Sequence, residues 1–403
     1  MHPGKEGVLG QLFGPVMTTD AMAAVTSDRS WLKAMLEFEA ALAEVEAGAG
    51  LVPSTVVGPI GQCCLDYDDF DILALGRAGR MSANPAVALV AELRRRLPAE
   101  AARWVHFGAT SQDVVDTAMM LVLRSALDLV LADLSRAAAA AADLAARYRC
   151  TPMVARTLLR HALPTTFGRK AAGWLVPLLE AASALQRIRH DRLAVQLGGP
   201  SGTLPGLGPG GPRLGDQLAS RLGLVAPVIP WHTDRTRVVE AGAALVVAAG
   251  TAGKIALDVA LLMQDEVSEA AEPAQPGRGG SSSMPRKRNP AMSAGAGAAW
   301  RMAQGLYAVL LAAMAQEHER AAGAWQAEAE TLSELCRAAG GAVSVTADIL
   351  AGLEVDEERM AVNLQLARPA LGSSEGGTGN AEQFVDRALA FYRGGNWGVG
   401  GHD

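Results

Sequence analysis

Read as a string of apolar and polar positions, the chain falls into two textures. Up to about residue 105, apolar clusters are short and broken by turns. The stretch SDRSWLKAMLEFEAALAEVEAGAG sets Trp31, Met35, Leu36, Ala40 and Leu42 near helical spacing, with Ser27 or Asp28 as the cap. From about residue 110 to 351 the same period runs on for much longer. It predicts helices from Thr110 to Arg149, from Pro164 to about Leu197 with a kink at Pro177, from about Thr233 to Ala270, and from Pro290 to about Leu350. Alternation with period two is nearly absent, so no significant sheet is expected. Helices this long exceed what one small subunit can cover, which implies apolar stripes buried between neighbouring subunits. The tail from about 355 to 403 is short, and its glycine-rich end GGNWGVGGHD reads as frayed.

Composition narrows the picture. Half of the 403 residues are hydrophobic but only 4% are aromatic. The apolar content is largely Ala, Leu and Val, and alanine and leucine carry the lowest helix cost. No uninterrupted apolar run reaches the roughly 18 residues that cross a bilayer, so no membrane partner is expected. The start, MHPGKEGVLGQLFGPV, has no apolar leader core or cleavage site. A net charge of −6 argues against a nucleic-acid partner. Cys63, Cys64, Cys150 and Cys336 have neither metal spacing nor a disulfide framework, so a reducing cytoplasm is expected and no metal set is apparent.

Three stretches carry candidate chemistry, and each runs into a predicted helix. HFGATSQDVVDT begins at His106. Thr110 and Asp113 have capping-box spacing, which sets the hydroxyls of Thr110 and Ser111 among free backbone N–H groups that favour a carboxylate. In ARTLLRHALPTTFG, Arg156, Arg160 and His161 lie ahead of Pro164, a residue suited to a first helical turn. In GGSSSMPRKRNP, Gly279 and Gly280 read as hinges of a mobile loop that ends in cations. Asn289 reads as the N-cap of the longest helix and Pro290 as its first residue. Closing that loop would bring serine hydroxyls, backbone amides, Lys287 and Asn289 onto whatever the other two stretches hold. QEHER, Gln316 to Arg320, reads as a polar cluster in mid-helix. PWHTDRTR, from Pro230, reads as the opening of the third long helix. The glycine-rich LGGPSGTLPGLGPGGPRLG lacks Gly-Lys-Ser/Thr and a preceding strand, so it reads as a connector rather than a phosphate loop.

These residues resemble a known family. GGSSSMPRKRNP is similar to the Gly-Ser-Ser-x-Met-Pro-x-Lys-x-Asn-Pro signature of the fumarase/aspartase superfamily. HFGATSQDVVDT and ARTLLRHALPTTFG resemble its first and second regions, in the right order. PWHTDRTRVVE, LLMQDEVSEAAEP and QEHERAAGAWQAEAETL most resemble the carboxymuconate cycloisomerase branch. The resemblance implies an all-α subunit of three domains, 1–105, 106–354 and 355–403. Its central long-helix bundle would join three others in a tetrameric twenty-helix core, with active sites shared between subunits. It implies chemistry without a cofactor on a di- or tricarboxylate: proton transfer beside a carboxylate while a C–O or C–N bond forms or breaks next to it. By position Ser281 is the general base, assisted by Lys287, with His106 and His161 as further catalytic candidates. Thr110, Ser111, Arg156, Arg160, Ser282, Met284 and Asn289 form the implied substrate-binding set. Lactone formation is the first reading and C–N elimination giving fumarate, from an aspartate derivative or nitrosuccinate, the second. Leu158 stands where fumarases, argininosuccinate lyases and adenylosuccinate lyases carry a histidine, a loss that fits the cycloisomerase branch; Ala155 stands for the usual glycine, Arg160 for a glutamine and Arg286 for a common histidine.

Overall fold

The computed structural model describes residues 12–284, 287–371 and 377–395. Arg286 and the tail residues 396–403 lie outside them. Six short helices open the chain: α1 (Asp20–Val25), α2 (Asp28–Gly48), α3 (Val57–Leu65), α4 (Ile72–Gly79), α5 (Pro85–Arg96) and α6 (Ala99–Ala102). The long α7 (Ser111–Arg147) leads to a hairpin of β1 (Pro152–Thr157) and β2 (Arg160–Thr166). Then come α8 (Phe167–Arg187), α9 (Gly211–Leu222), α10 (Thr236–Leu262) and β3 (Ala270–Ala271). After the serine-rich loop follow α11 (Ala291–Ala312), α12 (Glu328–Ala351), β4 (Glu354–Val355), α13 (Glu357–Leu371) and α14 (Ala381–Arg393). The all-α expectation holds apart from two antiparallel strand pairs, β1 with β2 and β3 with β4.

Helices α7, α8, α10, α11 and α12 pack as a bundle. Alanine makes this close packing possible: Ala137, Ala138, Ala141, Ala142 and Ala145 of α7 are all buried in its core. Glycine does the same where a ring must fit. A Cβ on Gly253 would lie 2.8 Å from Cγ of Trp300. A second core gathers Leu36 and Phe38 of α2, Leu89 and Leu93 of α5 and Leu218 of α9 around Val114 and Ala118 at the start of α7. That start is buried on every side, from Gln112 to Leu123. As the pattern predicts, Ser27 caps α2, its Oγ accepting from Ser30 N at 3.2 Å.

Buried charge ties the bundle together. The guanidinium of Arg235, at the entry of α10, donates to Asp116 of α7 through Nη1 and Nη2, each at 2.9 Å, and through Nε to Glu328 of α12 at 3.0 Å. All three side chains are essentially inaccessible. Trp325 Nε1 at 2.8 Å, Gln112 Nε2 at 3.1 Å and Gln196 Nε2 at 3.3 Å also donate to Asp116.

Four expectations are corrected. The hairpin was hidden because a bulge between Val154 and Arg156 breaks the alternation and its tip is apolar yet exposed. Pro164 sits inside β2, and α8 starts at Phe167 with Thr166 as its cap, Oγ1 accepting from Arg169 N at 3.0 Å. A proline's fixed φ suits an edge strand as well as a first helical turn. The expected helix from Pro290 to Leu350 is two helices. Residues 313–327 break it, with His318 and Gly323 at positive φ, so QEHER lies in the break rather than in mid-helix. The proline-rich connector contributes α9, whose first turn contains Pro212.

One described helix, α10, is long and apolar enough by composition to cross a membrane. It lies in the bundle with 50% of its apolar window buried. Val247 and Leu257 on α10 and Met302, Val309 and Leu311 on α11 stay exposed.

Asp116→Ala should be severely destabilising, because it leaves Arg235 half-paired and strands Trp325 Nε1. The expected loss is about 3 to 5 kcal/mol, read from urea unfolding followed by circular dichroism at fixed protein concentration. A loss below about 1 kcal/mol would show that the network contributes no more than an ordinary surface pair.

Candidate active site

The start of α7 holds the first group of candidates. Thr110 caps the helix, its N donating to Asp113 Oδ2 at 2.9 Å within the expected capping box. The Asp113 carboxylate also accepts from Gly198 N at 3.0 Å, Gly199 N at 2.9 Å and His232 Nε2 at 2.7 Å. This fully buried acid therefore pins the glycine-rich connector and the PWHTDR segment to the mouth of the helix. Close approach explains the glycines, since a Cβ on Gly199 would lie 2.9 Å from Gly108 O.

The two hydroxyls at this end are engaged as acceptors. Thr110 Oγ1 accepts from Arg320 Nη1 at 2.9 Å, and Ser111 Oγ accepts from Asn84 Nδ2 at 2.9 Å. Each keeps its own proton free to donate, which suits an incoming carboxylate. Arg320 adds a guanidinium to this end of the helix. Its position in the α11–α12 break is what hid it from sequence reading. Asn84, which sequence reading missed, also caps α5, where its Oδ1 accepts from Ala86 N at 3.0 Å.

The second and third groups lie at the opposite end of the bundle. Arg156 is held bidentately by the buried Glu269, at 2.8 and 2.9 Å, and Glu269 also accepts from Asn363 at 2.8 Å. Arg160 and His161 are exposed and have no ion-pair partner among the described residues. Between the strands, Leu158 and Leu159 form a two-residue turn with both φ values positive, 50° and 63°. Such turns normally carry Asn or Gly. These leucines are 98% and 82% exposed, a strained apolar tip.

The serine-rich loop is closed at its base. Asn289 donates to Gly279 O from its backbone N at 2.8 Å and its side chain at 3.1 Å. Gly279 has φ 69°, and a Cβ there would lie 2.5 Å from Asn289 O. The expected cap of α11 is corrected by one residue: Pro290 holds the N-cap position, and Glu272 reaches across to accept from Met292 N at 3.1 Å and Ser293 N at 2.7 Å. Arg288 forks onto Glu354 at 2.8 and 3.0 Å and also donates to Glu272 O. At the loop's other end, Ser281 Oγ accepts from Met284 N at 3.2 Å and Ser283 N at 3.4 Å. Backbone N–H groups aimed at a hydroxyl oxygen stabilise its alkoxide form.

A cleft of about 1660 Å³ runs beside Ser283, Met284, Lys287 and Asn289. Its other wall is acidic, with Asp265, Glu266, Glu354, Asp356, Glu357 and Glu358. A polycarboxylate would be repelled there. Thr110 and Ser111 are also far away. The 37 residues of α7, at a rise of about 1.5 Å each, separate them from the hairpin by roughly 55 Å. One chain thus brings the hairpin and the loop to the same end, and keeps the first region at the other.

The fold and these motif geometries define a lyase of the fumarase/aspartase type, and the chain belongs to this lyase family, whose model matches residues 15–303. Within it the chain is 50% identical over 359 residues to a 3-carboxy-cis,cis-muconate cycloisomerase of Bradyrhizobium diazoefficiens, covering 88% of this chain and 79% of that protein. It is 44% identical over 366 residues to a nitrosuccinate lyase of Streptomyces davaonensis, covering 88% and 77%. The crystal structure of a 3-carboxy-cis,cis-muconate lactonizing enzyme from Pseudomonas putida superposes with a TM-score of 0.88 at 38% identity, covering 95% of this chain and 99% of that one.

Glu272→Ala should loosen the loop without unfolding the bundle. Losing two helix-terminal acceptor contacts costs about 1 to 2 kcal/mol. Amide hydrogen exchange at Met292 and Ser293 should therefore speed up roughly tenfold, while α7 amides stay protected. Unchanged exchange at those two amides would remove Glu272 as the cap.

Proposed function

We propose that this chain is a cofactor-independent cycloisomerase for a small polycarboxylate of the 3-carboxy-cis,cis-muconate kind. The observation that carries the reading is Ser281, whose Oγ lies under two backbone N–H groups at the start of a loop ending in Lys287 and Asn289. In lactone formation, one carboxylate oxygen adds to a double-bond carbon. The displaced π pair moves toward the neighbouring carboxylate as a dianionic aci-carboxylate. Ser281 Oγ then gives its proton to the carbon between them, and in the reverse direction the alkoxide takes it back. Lys287 and Asn289 supply positive potential to the dianion. Thr110 and Ser111 grip a second carboxylate, and Arg160 is free to take a third.

The site is assembled from more than one subunit of a homotetramer. The separation of roughly 55 Å along α7, the acidic wall of the loop's own cleft and the exposed apolar side chains on α10 and α11 all support this. Four unpaired cysteines support a cytoplasmic setting. A second reading, elimination of nitrite or an amine to give fumarate, is favoured by one observation. Arg160, without an ion-pair partner among the described residues, offers a planar donor fork, which fits nitro oxygens as well as carboxylate.

Assayed by absorbance against carboxymuconate, aspartate and nitrosuccinate, the protein should turn over the first. Ser281→Ala should retain the fold and lower kcat by about 10² or more. Near-native turnover in that variant would assign the base elsewhere, and nitrosuccinate turnover alone would select the second reading.

Shared sites have their own test. Subunits carrying Ser281→Ala and subunits carrying Thr110→Ala with Ser111→Ala should each assemble into inactive protein. Unfolded and refolded together, they should regain a measurable fraction of activity, because some mixed sites combine an intact loop with an intact helix start. No recovery in verified mixed oligomers would mean that each site lies within one chain.

A further inference from the structure

Four residues ahead of Thr110, His106 holds a left-handed backbone with φ 62° and an imidazole only 13% exposed. Its Nδ1 lies 2.6 Å from Oε1 of Glu39, in the middle of α2. Nε2 has no hydrogen-bond partner among the described residues. Glu39 is itself 1% exposed, and its Oε2 is buried without a partner. His106 is thus the only hydrogen-bond partner of that carboxyl among the described residues. A buried carboxylate with a single contact is tolerable when the contact is a cation. Two turns along the same face, Glu46 offers the contrast. It is fully buried, both its oxygens lack a partner, and no cation touches it. Burial, and then the nearby charge of Glu39, push its carboxyl up to about 9, so it is a neutral acid at physiological pH.

We infer that Glu39 is a positioning residue that keeps His106 as an imidazolium, so that the end of the site bearing Thr110 and Ser111 carries a fixed cation for a substrate carboxylate. The inference rests on the reading of this helix start as part of the substrate site. His106 then gives up no proton during turnover; its charge is what the reaction uses. The charged groups that face it are Glu39 from α2, Asp113 from α7 and Arg94 from α5. Burial alone would depress its pKa. The Glu39 carboxylate, by charge and hydrogen bond, and Asp113 at longer range outweigh burial and Arg94, so the ring titrates above its ordinary value. The sign follows directly. Below that pKa the cation is present; as pH rises through it, the cation and its hold on the carboxylate are lost.

Glu39→Gln tests this, because it preserves size and an acceptor for Nδ1–H but removes the charge. The alkaline limb of kcat/KM should move to lower pH by about one unit or more. At a pH between the two limbs kcat/KM should fall about tenfold and recover on acidification. Glu39→Asp, which keeps the charge, should hold the limb near its original place, and Glu46→Gln should not move it. In parallel, the Cε1 resonance of His106 is titrated in histidine-labelled protein without substrate, identified by its absence from His106→Gln. An unmoved resonance in Glu39→Gln overturns the pairing. A moved resonance with an unmoved kcat/KM limb overturns the role in turnover, as does an equal shift in Glu46→Gln. Failure of the wild-type protein to turn over any polycarboxylate counts against the functional reading instead, and the resonance still decides whether Glu39 sets the charge of His106.

Discussion

The rest of the structure depends on one buried guanidinium. Arg235 joins three long helices, through Asp116 on α7, Glu328 on α12 and its own place at the head of α10. Each partner alone would be a costly burial, and together they leave a low-energy arrangement only when all three helix ends meet in register. The neighbouring Asp113 extends that constraint outward. It fixes Thr110, the connector glycines and His232 within one turn of the same helix. The mouth of α7 is consequently rigid before any ligand arrives. The opposite end is built differently, from a two-stranded hairpin and a loop held at its base by Asn289 on Gly279 and by Arg288 on Glu354. The protein thus separates a densely bonded helix mouth from a hairpin and loop at the far end of α7.

Much of the helical framework was legible because its physics is local. Apolar residues at 3.6 spacing, Ser27 and Thr110 as caps and alanine-rich runs determine α2 and α7 without long-range help. The misreadings arose where a distant group intervened. Asn289 and Pro290 form a convincing helix start until Glu272 supplies the acceptors and frees the Asn289 side chain for Gly279. Pro164 reads as a helix beginning because the pairing of β2 with β1 lies across a bulge. The break after Ala312 lacks proline, and its glycine and polar residues are individually compatible with a helix. Among the site residues, the motif positions were evident from their order, whereas Arg320, Asn84, Glu39 and Glu269 were not. Those four act through contacts with residues 27 or more positions away, and no spacing rule encodes such reach.

Electrostatics distinguishes the two ends further. At the α7 mouth, donors predominate: two hydroxyl protons, Arg320 and His106. Beside the loop, carboxylates outnumber Lys287 and Arg288. A ligand that carries two or three negative charges would therefore be drawn to the helix mouth rather than to the loop of the same subunit.

The length of α7 has an evolutionary corollary. Its 37 residues are anchored at one end by Asp113 and Asp116 and run into the hairpin at the other. Inserting one residue would rotate the two ends by about 100° relative to each other and part them by about 1.5 Å, so either the ion network or the hairpin packing would be lost. A change of length is therefore costly inside this helix and far cheaper in the connectors, so the separation of its two ends behaves as a fixed integer while the loops around them are free to vary.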